Sequence, residues 1–177
     1  MNSFLRVLTR FDDILAKVEA SVLIGLVAVM TVVVFLQVVY RYVLTQPLHW
    51  SEELARYLFV WLSILGATLG VQKRGHFGLD VFFRMLPKQG QWLMRLLIHL
   101  LMGSVFVVLI VYGITLVQKT ALQESPAMGI PMSWAYTCLP VGGALMAIHL
   151  FIIFLKDTTD GLVKSRKSPP LSEPEAL

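Results

Sequence analysis

Four stretches of this chain run without Asp, Glu, Lys or Arg over lengths that match a lipid bilayer. Residues 20–40 and 96–118 are uninterrupted, and residues 125–155 are apolar but begin with Pro126 and Pro131. Those prolines mark a loop, so the helix there is expected over 133–155. The fourth stretch, 57–72, would be about 24 Å long as a helix, short of the roughly 30 Å hydrocarbon core. Extending it back to Ser51 cures the deficit if Glu52, Glu53 and Arg56 lie at the headgroups. The expected fold is an all-α integral membrane protein with spans at about 20–40, 51–72, 96–118 and 133–155. Composition agrees: the hydrophobic set is 56% of residues and charged residues are 15%, against about 25% charged in soluble domains. Cys138 is the single cysteine, so no disulfide scaffold can form. The basic residues are not clustered beside aromatics on a polar domain, which argues against nucleic acid as a partner and leaves membrane lipid.

Twelve of the fifteen Lys and Arg residues fall before the first span, between the second and third, or after the fourth; only Arg41, Arg56 and Lys119 fall on the other side. By the positive-inside rule both termini are cytoplasmic. The first apolar run lacks a small-residue cleavage site after it, so it is expected to be a retained helix rather than a signal peptide. Residues 3–18 alternate an apolar stripe (Phe4, Leu8, Phe11, Leu15, Val18) with a charged one (Arg6, Arg10, Asp13, Lys17). That pattern predicts a separate amphipathic helix lying in the interface. Residues 73–95 read as a short amphipathic cytoplasmic arm, with Asp80 and Arg84 at pairing distance and Pro87 and Gly90 ending it before the third span. The outer loop 123–132 is rich in turn residues. The whole forms one membrane domain over 1–163, and the Pro- and Ser-rich tail 164–177 is expected to be disordered.

No carboxylate lies near the middle of an expected span, Glu52 and Glu53 being at the headgroup end of the second, whereas ion-coupled transporters usually keep one, or exposed backbone of broken helices, near the midplane. If the chain belongs to a transporter, another chain is expected to carry substrate and coupling ions. No catalytic set, metal site or cofactor site is expected. The densest polar group is His49, Trp50, Ser51, Glu52, Glu53 and Arg56 at the start of the second span. It has two readings. As a helix start, Ser51 caps, the carboxylates suit the helix dipole, Glu52 pairs with Arg56 and Trp50 joins the aromatic belt. Alternatively, the charges also contact another subunit. Small residues Ser63, Gly66, Ala67 and Gly70, and again Gly143 and Ala147, allow close helix approach, either within the bundle or with a partner. His99 and His149 near the inner ends of their helices raise the alternative of a haem-bearing anchor of a redox enzyme; a self-contained four-helix exporter is a further alternative.

Read in order, Arg41-Tyr42, then Trp50 with Glu52, Glu53 and Arg56, Phe59 with Trp61, Leu65-Gly66-Ala67, Lys73-Arg74, His76 with Asp80, and Leu86-Pro87 form a pattern. It resembles the small membrane subunit of tripartite ATP-independent periplasmic (TRAP) transporters, as does SPAMGIPMSWAYTCLPVGGALM in the last third. The resemblance covers roughly residues 20–155. It implies a division of labour. A periplasmic substrate-binding protein captures an organic anion, and a large permease subunit carries the substrate and sodium sites. The small subunit is non-catalytic and braces the large one. Candidate interface residues on that footing are Arg41, Trp50, Glu52, Glu53, Arg56, Trp61, Gly66 and Gly70.

Overall fold

The computed structural model describes residues 3–73 and 88–166. It is all-helical among these residues, with four helices long and apolar enough to cross a membrane. They are α1 (Ser3–Tyr42), α2 (His49–Gln72), α3 (Lys88–Thr120) and α5 (Cys138–Arg166), with the single turn α4 (Ser133–Tyr136) leading into the last. The expected arm falls largely on residues 74–87, outside the described residues, as does the tail from residue 167.

Three boundaries differ from the sequence reading. The segment 3–18 is not a separate surface helix: α1 runs unbroken for 40 residues, about 60 Å. The reason is a seven-residue repeat that passes straight through the supposed junction. Asp12, Glu19 and Val33 are buried, with Leu26 and Tyr40 half-buried in the same register, so one face packs on the bundle throughout. Of the apolar stripe expected to face the membrane interface, Phe11 and Val18 are 52% and 55% exposed, whereas Leu8 and Leu15 are half-buried. Gly90 does not end a helix; α3 starts at Lys88 and runs through it. Finally, α5 continues to Arg166 rather than stopping near residue 155.

The division of α4 from α5 comes from Pro140. With no N–H, it cannot donate to the Tyr136 carbonyl four residues back. The flanking bonds, Thr137 N to Ser133 O at 2.9 Å and Val141 N to Thr137 O at 3.2 Å, carry the turn across the gap.

Packing follows a row: α1 on α2, α2 on α5, and α5 on α3, with α1 and α5 also meeting at their inner ends. Glycines set the close approaches on α5. A Cβ at Gly142 would sit 2.0 Å from Cγ2 of Ile64 on α2. One at Gly143 would sit 3.0 Å from Cγ1 of Ile110 on α3, and one at Gly113 of α3 2.8 Å from Cδ of Pro140 and 2.9 Å from its nitrogen. These small residues therefore serve contacts inside the bundle. On α2, Ser63, Gly66, Ala67 and Gly70 are exposed; a Cβ on Gly66 would meet only Cδ1 of Leu23 on α1, at 3.8 Å, and nothing lies within 4 Å of one built on Gly70. The core between the polar ends includes Val33, Leu65, Phe106, Cys138 and Met146.

Candidate functional site at the two ends of the bundle

At the outer end the expected cluster divides into three separate contacts. Arg41, at the close of α1, places Nη1 3.4 Å from Oε1 of Glu52, and Gln37 donates to the same oxygen at 3.1 Å. Glu52 thus ties α2 to α1 rather than pairing with Arg56, because the α1 end brings a cation and an amide alongside it. Glu53 points the other way and is 7% exposed. Its carboxylate accepts the Tyr57 hydroxyl and the backbone N–H of Ala127 at 2.9 Å. That second bond anchors the outer loop, itself closed by Ser125 N to Ile130 O at 2.9 Å and Met132 N to Gln123 O at 2.8 Å. Gly129 turns this loop at φ 65°, a left-handed conformation natural to glycine. Trp61 donates to the Trp134 carbonyl at 3.3 Å, holding α2 to the entry of the last span.

Ser51 is not the expected cap. Helix α2 begins two residues earlier, at His49, and the Ser51 hydroxyl donates back to the Leu48 carbonyl at 2.7 Å. Trp50 is 40% exposed. Arg56 is exposed and forms no ion pair with the described residues. It lies in a stripe with Glu52, Phe59, Ser63, Ala67 and Gly70 along the outward face of α2, spaced by three and four residues. Gly66 flanks this stripe on the α1 side, its Cβ position 3.8 Å from Cδ1 of Leu23.

The inner end holds a polar network for which the sequence supplied members but not the assembly. His149, fully buried on α5, places Nδ1 2.7 Å from Oδ1 of Asp12 and Nε2 3.1 Å from Oε1 of Glu19. Asp12 and Glu19 are seven residues apart on one face of α1, about 10.5 Å along the axis. An imidazole, whose two nitrogens point in diverging directions, bridges that gap. Ionised carboxylates only accept, so both contacts are satisfied together when the ring is doubly protonated and donates from each nitrogen. Lys156, about two turns further along α5, donates to Oδ2 of Asp12 at 3.2 Å. The Thr68 hydroxyl of α2 lies 2.6 Å from Oε2 of Glu19 and 2.7 Å from the Leu65 carbonyl, its single hydrogen shared between two acceptors. Two carboxylates thus meet an imidazole and an ammonium, and three helices join in one polar cluster.

Both nitrogens of His149 are engaged by carboxylates, so in this arrangement neither faces a space that a haem iron could occupy. His99 sits apart on α3, its Nε2 4.0 Å from Oδ2 of Asp157 and its ring edge-on to Phe154 at 5.5 Å. Asp12 and Glu19 precede the first apolar run and are not among the residues that the sequence analysis singles out. The signal that would have found them is the seven-residue repeat that carries them into the buried stripe of α1.

Comparison with known proteins assigns this architecture. Residues 30–160 match the family described as tripartite ATP-independent periplasmic transporters, DctQ component. The chain is 30% identical over 136 residues to the sialic acid TRAP transporter small permease protein SiaQ of Vibrio cholerae, covering 77% of this chain and 79% of that protein. It is 31% identical over 128 residues to a putative TRAP transporter small permease protein of Haemophilus influenzae, covering 72% and 79%. Over 135 residues it is 30% identical to the isethionate TRAP transporter permease protein DctMQ of Oleidesulfovibrio alaskensis, where the aligned part is 71% of this chain but 21% of that protein. Four membrane-spanning helices and this match over most of the chain place it plainly: it belongs to the DctQ family and is a small permease subunit of a TRAP transporter.

Proposed function

We propose that this chain is the non-catalytic small subunit of a sodium-driven uptake system for an organic anion, and that it braces a large permease subunit carrying the substrate and sodium sites. A periplasmic binding protein delivers the anion. The observation that carries this reading is how the buried ionisable groups are used. Asp12, Glu19 and His149 are consumed by one another, by Lys156 and by Thr68 at the inner end, and the core between the two polar ends is built of residues such as Val33, Leu65, Phe106 and Met146. Such an interior suits a brace rather than a path for ions. Substrate class is supported by relatives named for sialic acid and for isethionate, a carboxylate and a sulfonate. The DctMQ relative, of which this chain matches 21%, supports an intimate permease partner.

The contact face best supported on α2 is the outward stripe from Arg56 through Phe59 and Ser63 to Gly70, where small residues permit close approach. Arg41, Glu52, Glu53 and Trp61 are already bonded within the chain and act on that face by holding α2 in place. Both termini are cytoplasmic on the basic-residue distribution. Cysteines at Gln46 and Gln123 are expected to react with an impermeant reagent in intact cells and one at Ser168 to be protected; the reverse pattern overturns the orientation.

Reconstitution tests the function directly. Proteoliposomes with this chain alone are expected to show no sodium-dependent uptake, and adding the large subunit and binding protein is expected to produce it. Uptake by the isolated chain would refute the brace and favour the self-contained exporter. Arg56→Glu is expected to abolish co-purification with the large subunit while the variant still accumulates in the membrane.

A further inference from the structure

The inner third of α1 has three distinct faces. One, with Asp12 and Glu19, is buried on the bundle; a second, with Arg6, Arg10, Asp13 and Lys17, is exposed and charged. The third is apolar yet uncovered: Val7 is 65% exposed, Phe11 52%, Ile14 61% and Val18 55%. An uncovered apolar face is ordinary where lipid tails surround it, so depth decides what this one means. Gln37 marks the outer polar end of α1 through Glu52, and Glu19 marks the inner one through Thr68 and His149. They are about 27 Å apart along the helix, close to the roughly 30 Å of a hydrocarbon core. Val18 stands at the inner boundary. Ile14, Phe11 and Val7 stand about 7, 12 and 18 Å beyond Glu19, where tails give way to headgroups and water.

Nor can this part of α1 lie down to reach the tails. Asp12 is held to His149 at 2.7 Å and to Lys156 at 3.2 Å, which keeps the helix against α5 at that depth. The seam also continues in register through Val22, Gly25, Val29, Val32 and Leu36, all of them exposed. Spacings of three and four along one line are what a neighbouring helix packs against. We propose that the seam of Val7, Phe11, Ile14 and Val18 is a docking surface for the large permease subunit, occupied by an apolar helix of that subunit running beside α1 past the hydrocarbon boundary. This rests on the brace reading above and adds a second contact, on α1, to the stripe on α2. A membrane-embedded partner is the occupant because the chain belongs to a transporter family with a separate or joined larger permease, and because the seam runs unbroken from the membrane-spanning part into the extension.

The test is photo-crosslinking in cells that make the complete transporter. A photoreactive residue replaces Phe11 or Ile14, and Asp13, on the charged face, serves as control. Positions 11 and 14 are expected to give adducts between this chain and the large subunit, and position 13 none. Adducts only to lipid, to residues 74–87 of the same chain or to a second copy would overturn the seam, as would no adduct. In parallel, Phe11→Glu with Ile14→Glu is expected to lower co-purification at least tenfold with membrane accumulation unchanged; undiminished co-purification counts against the proposal. The parent chain separates the two levels. If it co-purifies with the large subunit but positions 11 and 14 do not crosslink, the seam fails and the brace stands. If the parent does not co-purify, the brace itself fails and the seam with it.

Discussion

The two polar ends of this bundle use the same residue types under opposite conditions. Outside, Arg41 and Glu52 pair at 3.4 Å with their side chains 56% and 57% exposed. Inside, Asp12, Glu19 and His149 meet with side-chain exposures of 3%, 4% and 0%. Exposed pairs are worth about 0–1 kcal/mol because water solvates each partner almost as well. A buried cluster is not simply stronger. Its desolvation cost offsets much of its attraction, so its effect is felt when one member is lost and the others are stranded. The inner end is therefore brittle and the outer end tolerant, although both look like salt bridges on a contact map.

The sharpest way to break that contrast is at His149. His149→Ala leaves Glu19 with Thr68 alone and Asp12 with Lys156 alone, and is expected to cost about 3–5 kcal/mol, read as thermal unfolding in detergent. Replacing Asp12, Glu19 and His149 together by Leu is expected to recover most of the loss, since an apolar set strands nothing. If the single and triple variants behave alike, the network is not the reason. Next in size is Gly113→Ala, expected to cost about 1–3 kcal/mol by overpacking. Its new methyl meets the ring and nitrogen of Pro140, and this position gauges uncharged packing near the outer end. Glu53→Gln is expected to act locally: hydrogen exchange at Ala127 and Gly129 quickens while global unfolding stays put. A shift of the whole unfolding transition would move Glu53 into the brittle class. Smallest is Arg41→Ala, expected to change stability by less than about 1 kcal/mol; a larger loss, persisting in high salt, would erase the distinction between the ends.

The four spans were legible because charge-free length is a property of the sequence alone. Boundaries were less so. Treating residues 3–18 as a separate helix followed from reading its two faces without asking which face the next twenty residues continue. The repeat from Asp12 to Tyr40 carries that answer. At the outer end the residue types were right but the partners were not: Glu52 turns to Arg41 rather than Arg56, because side-chain spacing within one helix says nothing about a cation delivered by the preceding one. The role of Glu53 depends on a loop 74 residues away, beyond any local pattern. Small residues on α2 and α5 looked alike in sequence, and packing sorted them, with Gly142 and Gly143 facing neighbours and Gly70 facing out.

The pairing of Asp12 with His149 spans 137 positions of the chain. At synthesis rates of about 5–20 residues per second, Asp12 and Glu19 wait roughly 7–27 s before their imidazole partner has been made. During that interval the first helix is a provisional occupant of the membrane, with two carboxylates at the boundary and only Thr68 of the second helix to meet either. The last helix is thus the one that commits the first, since a chain lacking it would leave Glu19 with Thr68 alone and Asp12 without its imidazole and ammonium partners.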